Sequence, residues 1–127
     1  MIFGYTILYV RNVEETIHFY EDAFGIGLRF LHESKMYAEL ETGTTTLALA
    51  QEDFVLENVG PFTKNRPGTS SGFEIAFITE DVPGAYQRAI TAGAHPLHPP
   101  VTKPWGQEIA YVTDCNGIRV ELCTKIG

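Results

Sequence analysis

At 127 residues, with hydrophobic types at 44% and charged types at 20%, the chain has the make-up of one globular domain around one core. Its net charge of −7 argues against nucleic acid, whose phosphates it would repel, and against anionic membrane surfaces. No apolar run reaches bilayer-spanning length, the two cysteines (Cys115 and Cys123) are too few for a disulfide scaffold, and the opening "MIFGYTILYVRN" has neither a basic n-region nor a small-residue cleavage site, so a cytoplasmic protein with reduced thiols is expected.

Residues 2–10, rich in β-branched and aromatic types, predict a strand. The period then changes. Asn12 with Glu15 three residues on is a capping-box arrangement. Val13, Ile17, Tyr20 and Phe24 fall on one helical face, and Gly25 stops the helix. Short strands are expected at 27–34, 36–41 and 45–50. Residues 51–71 are polar, with prolines and no sustained period, and read as a long linker onto which Phe54, Val55 and Phe62 could dock. The pattern restarts with a strand at 72–79. Asp81 caps a helix over 82–92 with Val82, Ala85, Tyr86 and Ala89 inward. "AHPLHPPVTKP" reads as a proline-rich edge strand or loop. Residues 107–113 and 118–124 form a hairpin around "DCNG", where Asn-Gly favours a turn because both residues tolerate positive φ.

A shift of 69 positions lays Tyr5 on Glu74, Asn12 on Asp81 and Val13 on Val82. The expected fold is therefore α+β: two βαβββ modules, 1–50 and 72–125, in one pseudo-symmetric domain spanning 1–127, with helices on one face of each sheet and a cleft between the other faces.

Three stretches carry a family resemblance: "YTILYVRNVEETIHFYEDAFGI" at 5–26, "FEIAFITEDVPGAYQRAITAGA" at 73–94 and "KPWGQEIAYVTDCNGIRVEL" at 103–122. Over essentially its whole length the chain resembles the vicinal-oxygen-chelate superfamily of glyoxalases, extradiol dioxygenases, and fosfomycin- and bleomycin-resistance proteins. One departure is Cys115, where the family usually has proline. The resemblance implies a divalent cation in the cleft, held by His or Glu from the first and last strand of each module, and often a cleft completed by a second chain. A homodimer is expected on that ground, with the 51–71 linker available to reach across.

Carried over by position, the ligand sites fall on Tyr5, on Leu47 or Leu49, on Glu74 and on Glu121. Tyrosine and leucine are poor substitutes for histidine, and none of His18, His32, His95 and His98 stands at these places. Two carboxylates with waters are expected to hold at most a weak magnesium or manganese ion. The look is thus closest to metal-free, bleomycin-resistance-like members, which use the cleft as a binding pocket. Strand parity turns Glu74 with Ala76 and Ile78, and Glu121 with Arg119 and Cys123, toward the cleft. Placed close together without a cation, the two carboxylates would repel and raise the pKa of one of them, which would make it a proton carrier or a cation receptor. Trp105, Tyr5, Tyr37 and Tyr111 offer aromatic walls, and Gln107 shares parity with Tyr111. Neither cysteine has a partner at a spacing that activates a nucleophile.

Three functions follow as expectations. The first is a small-molecule binding protein for a cationic or aromatic ligand, with no cofactor. The second is a divalent-metal lyase or dioxygenase using Glu74 and Glu121. The third is a cofactorless enzyme with one of those glutamates as general acid–base.

Overall fold

A computed structural model describes residues 1–69 and 71–127. The chain forms two compact units, Met1–Glu21 with Gly25–Asn65, and Asp22–Phe24 with Arg66–Gly127. Each contains one four-stranded sheet. Among the described residues no helix is long and apolar enough to cross a membrane.

The first unit is built from β1 (Tyr5–Val10), α1 (Val13–Phe24) as far as Glu21, β2 (Leu28–Leu31), β3 (Tyr37–Leu40), β4 (Thr46–Gln51) and α2 (Glu52–Asn58). Its sheet runs β1-β4-β3-β2, with β1 and β4 parallel and the other pairs antiparallel. Asn12 caps α1 as expected, its Oδ1 accepting from the Glu15 amide at 2.9 Å. Gly25 ends the helix at φ 68°, where its amide bonds the Glu21 carbonyl. Val13, Ile17 and Tyr20 are buried with Leu8 and Val10, so one face of β1 packs inward.

The expected linker is in part a helix. Residues 52–58 form α2, with Val55 buried beneath it and two acidic residues in its first turn, where the helix dipole favours them. Fewer than two turns carry too little apolar repeat for periodicity to register. Phe62 does dock, with its ring 4.9 Å from that of Tyr9, whereas Phe54 remains 40% exposed.

The second unit holds β5 (Glu74–Ile78), α3 (Val82–Thr91), β6 (His95–Thr102), β7 (Glu108–Thr113) and β8 (Arg119–Cys123). Its sheet has the matching order β5-β8-β7-β6, with β5 and β8 parallel. Asp81 caps α3 by accepting from the Gly84 amide at 3.0 Å, and Val82 and Ala89 are buried beneath the helix. Ala85 and Tyr86 are only half-buried. The proline-rich segment is a full edge strand, β6, whose pairing with β7 slips twice, between Pro96 and His98 and between His98 and Val101.

The β7–β8 turn differs from the expected Asn-Gly type. Only Gly117 takes positive φ, at 85°, and the loop is shaped by buried Asp114, whose Oδ1 accepts from the amides of Asn116 at 2.8 Å and Ile118 at 2.9 Å. The Arg66 carbonyl lies against the Gly117 Cα, leaving no room for a Cβ.

Candidate functional site

The open face of the second sheet gathers most of the residues singled out in the sequence. Directly paired residues on neighbouring strands project to the same side. Two rows therefore run across the sheet: Glu74, Arg119, Thr113 and His95, then Ala76, Glu121, Tyr111 and His98. A third holds Ile78, Cys123, Ile109 and Val101. Along β5 Glu74, Ala76 and Ile78 are exposed while Ile75 and Phe77 are partly covered, the alternation expected from parity.

Glu74 and Glu121 lie within hydrogen-bonding reach of one another on adjacent strands. Burial pushes the Glu74 carboxyl up; the hydrogen bond with Glu121 and its charge push it further, and Arg119 only partly offsets them. Burial also acts on Glu121, but hydrogen bonds to Glu74, Cys123 and Tyr111 outweigh it and hold this carboxyl below the usual range. Of the two carboxyls, Glu74 therefore takes up a proton first as pH falls, and Glu121 stays ionised longer. The Tyr111 hydroxyl donates to Glu121 Oε1 at 2.8 Å. Burial and that bond push the phenol up to about 12. Cys123 stands beside the same carboxylate, and burial with the Glu121 hydrogen bond pushes its thiol up to about 11, so it is no nucleophile at neutral pH.

Gln107 and Trp105 complete this face through each other. The Trp105 indole donates to Gln107 Oε1 at 2.9 Å, and Gln107 Nε2 donates to the Thr124 carbonyl at 2.9 Å. Gln107 is buried with both its amide oxygen and its amide nitrogen hydrogen-bonded, so it positions Trp105, which is 62% exposed. Toward the β6 edge, a cavity of about 340 Å³ is lined by His98, Pro99, Val101, Lys103, Ile109 and Tyr111. The His98 ring meets Tyr111 edge-on at 5.8 Å.

In the first unit, register corrects one expectation. Glu121 pairs with Ala76, the neighbour-but-one of Glu74; the corresponding partner of Ile7 is Ala48. Ala48 is thus the counterpart of Glu121, and Leu47 and Leu49 are not. They pair with Thr6 and Leu8, on the face opposite Tyr5, and both are buried in the core. A strand with buried residues at every position except the last gives no alternation from which to read its facing. Tyr5 stands on the open face, 56% exposed, in register with Thr46. That face also carries a pair that sequence reasoning misses: the Tyr37 hydroxyl donates to Glu39 Oε2 at 2.8 Å, and burial followed by this bond pushes Tyr37 up to about 12.

Three further side chains of the second sheet's open face are missed or undervalued by sequence reasoning: His98, His95 and Arg119. Period-two counting places His95 and His98 on opposite sides, and only the slipped pairing in β6 brings them to the same one. Arg119 shares parity with Glu121 and so is legible, although it makes no ion pair with it at contact distance among the described residues. No three His, Cys, Asp or Glu side chains gather as a metal-holding group among the described residues. At the two first-unit positions, Tyr5 and Ala48 do not fit a four-ligand site for a metal that prefers imidazole.

Comparison with known proteins agrees with this architecture. Residues 2–122 match the model of the glyoxalase/bleomycin resistance protein/dioxygenase superfamily. An uncharacterised protein of Bacillus subtilis, YraH, is 26% identical over 117 residues, covering 91% of each chain. A glyoxalase-related enzyme from Fulvimarina pelagi superposes with a TM-score of 0.80 at 23% identity, over 96% of this chain and 86% of that one. TioX from Micromonospora superposes with a TM-score of 0.72 at 21% identity, over 98% of both chains. The protein belongs to the glyoxalase/bleomycin resistance protein/dioxygenase superfamily.

Proposed function

We propose that the protein binds a small cationic or aromatic molecule on the open face of the second sheet, without a complete metal site. The observation that carries this reading is the Glu74–Glu121 pair. One carboxylate is fixed by Tyr111, which is also its aromatic neighbour, a second sits beside it, and Trp105 stands exposed farther along, before β7. Such a face suits a ligand with an ammonium or amide donor on an aromatic body. The 340 Å³ cavity beside Tyr111 is of ordinary small-ligand size. The protein acts as a homodimer in this reading, since Tyr5, Ile7 and Phe30 leave large apolar area uncovered on the first unit.

Calorimetric titration with benzylamine and with a cationic glycopeptide of the bleomycin type tests the proposal. Binding is expected to weaken about tenfold or more in Glu121→Gln, the worth of a charge-assisted hydrogen bond. No binding at roughly millimolar concentration across such compounds would count against it. Elemental analysis of protein purified without a metal-affinity tag separates it from the metal-dependent lyase or dioxygenase. Stoichiometric metal, lost in Glu121→Gln, would favour the latter.

A second reading, acid–base catalysis without a cofactor, is favoured by the opposite directions in which the adjacent glutamates are shifted, Glu74 up and Glu121 down. Turnover of a bound compound that is lost in Glu74→Gln would distinguish catalysis from binding alone.

A further inference from the structure

The first row of the second sheet ends in a feature that the carboxyl pair does not use. Glu74 pairs with Arg119, Arg119 with Thr113, and Thr113 with His95, so a guanidinium, a hydroxyl and an imidazole stand side by side. All three residues line a cavity of about 520 Å³, whose other walls include Pro67, Gly68 and Thr69. Arg119 is half-buried and its side chain makes no hydrogen bond or ion pair among the described residues; its charge reaches Glu74 only through space. Asp114 also lines this cavity, but its Oδ1 is committed to the amides of Asn116 and Ile118 within the turn. A protein of net charge −7 does not collect anions by long-range attraction, so an anion held here must be held by local contacts.

We propose that Arg119, with Thr113 and His95, forms a subsite for the carboxylate of a small organic anion. A half-buried guanidinium with its donors unspent presents the planar fork that a carboxylate accepts in a bidentate manner. The Thr113 hydroxyl adds a donor at the side, and the imidazole adds another toward the sheet edge. The cavity has room for the rest of a small molecule. This goes beyond the cationic or aromatic reading. A ligand lying along the row places a positive end on Glu74 and Glu121 and a negative end on Arg119, while the subsite itself does not depend on the carboxyl pair.

The test is a titration of the full chain with sodium benzoate, followed by amide and side-chain nuclear magnetic resonance, with inorganic phosphate and benzylamine as parallel probes. Benzoate is expected to give saturable shifts at Thr113, His95 and Arg119. Its affinity should fall about tenfold in Arg119→Gln and be partly kept in Arg119→Lys, which retains the charge and loses the fork. Absence of saturable shifts at these residues by roughly 10 mM overturns the proposal, as does equal affinity in Arg119→Gln. Phosphate binding through Arg119 without benzoate binding overturns the carboxylate assignment. The wild-type shifts carry the test even if a variant fails to fold. Failure of benzylamine speaks only against the cationic reading, and failure of benzoate only against this one.

Discussion

Glu121 is the residue on which the second sheet's open face turns. It is the acceptor for Tyr111, the carboxylate beside Glu74 that helps push that group up, and, after burial, the main reason the Cys123 thiol is raised. Removing its charge should therefore be felt by its neighbours. In Glu121→Gln the Tyr111 phenol should ionise below its native value of about 12, because an anionic acceptor no longer opposes the phenolate. Ultraviolet difference titration would show this as one tyrosine moving down while Tyr37, held up by burial and Glu39, stays near about 12. The cysteines should also separate. Cys123 is buried, with a thiol raised to about 11, whereas Cys115 is half-exposed in the β7–β8 turn. Alkylation at neutral pH should modify Cys115 well before Cys123, read by mass spectrometry of timed digests. Equal rates would mean that the sheet opens freely at β8.

At the level of elements, the period-two and period-3.6 signals are legible wherever a face alternates. They place α1 and α3 with their caps, and turn Glu74 outward on β5. They fail on β4, buried at all but its last position, on α2, with a short inward face, and on β6, where slipped pairing breaks the alternation. The turn after β7 falls where "DCNG" puts it but for a different reason, since Asp114 and Gly117 shape it and Asn116 does not adopt positive φ. Gly117 bears the strictest demand in that turn. Its φ of 85° is costly for other residues, and the Arg66 carbonyl occupies the place of a Cβ. Gly117→Ala should cost about 2–4 kcal/mol, combining a left-handed conformation with overpacking. A thermal or urea melt would measure it, and a cost under about 1 kcal/mol would mean that the 66–67 segment is readily displaced.

On the scale of the whole molecule, the two units share one strand order, and that repeat is legible in the residues themselves because both helix caps and both strand–helix junctions recur. The first unit leaves Tyr5, Ile7 and Phe30 at least 46% exposed, so sedimentation should show a species of twice the chain mass. Ile7→Glu should shift that species toward monomer, and a monomeric wild type at roughly micromolar concentration would remove the dimer from the proposal. The sequence by itself determined the fold class, the repeat and the two carboxylates, because each is written locally in caps, turns and parity. Only the tertiary structure decided that Ala48 rather than either leucine answers Glu121, that Tyr37 joins Glu39, and that Arg119, Thr113 and His95 form one row. These depend on register between strands distant in sequence, which hydrogen-bonded pairing and its slips set and no local pattern encodes.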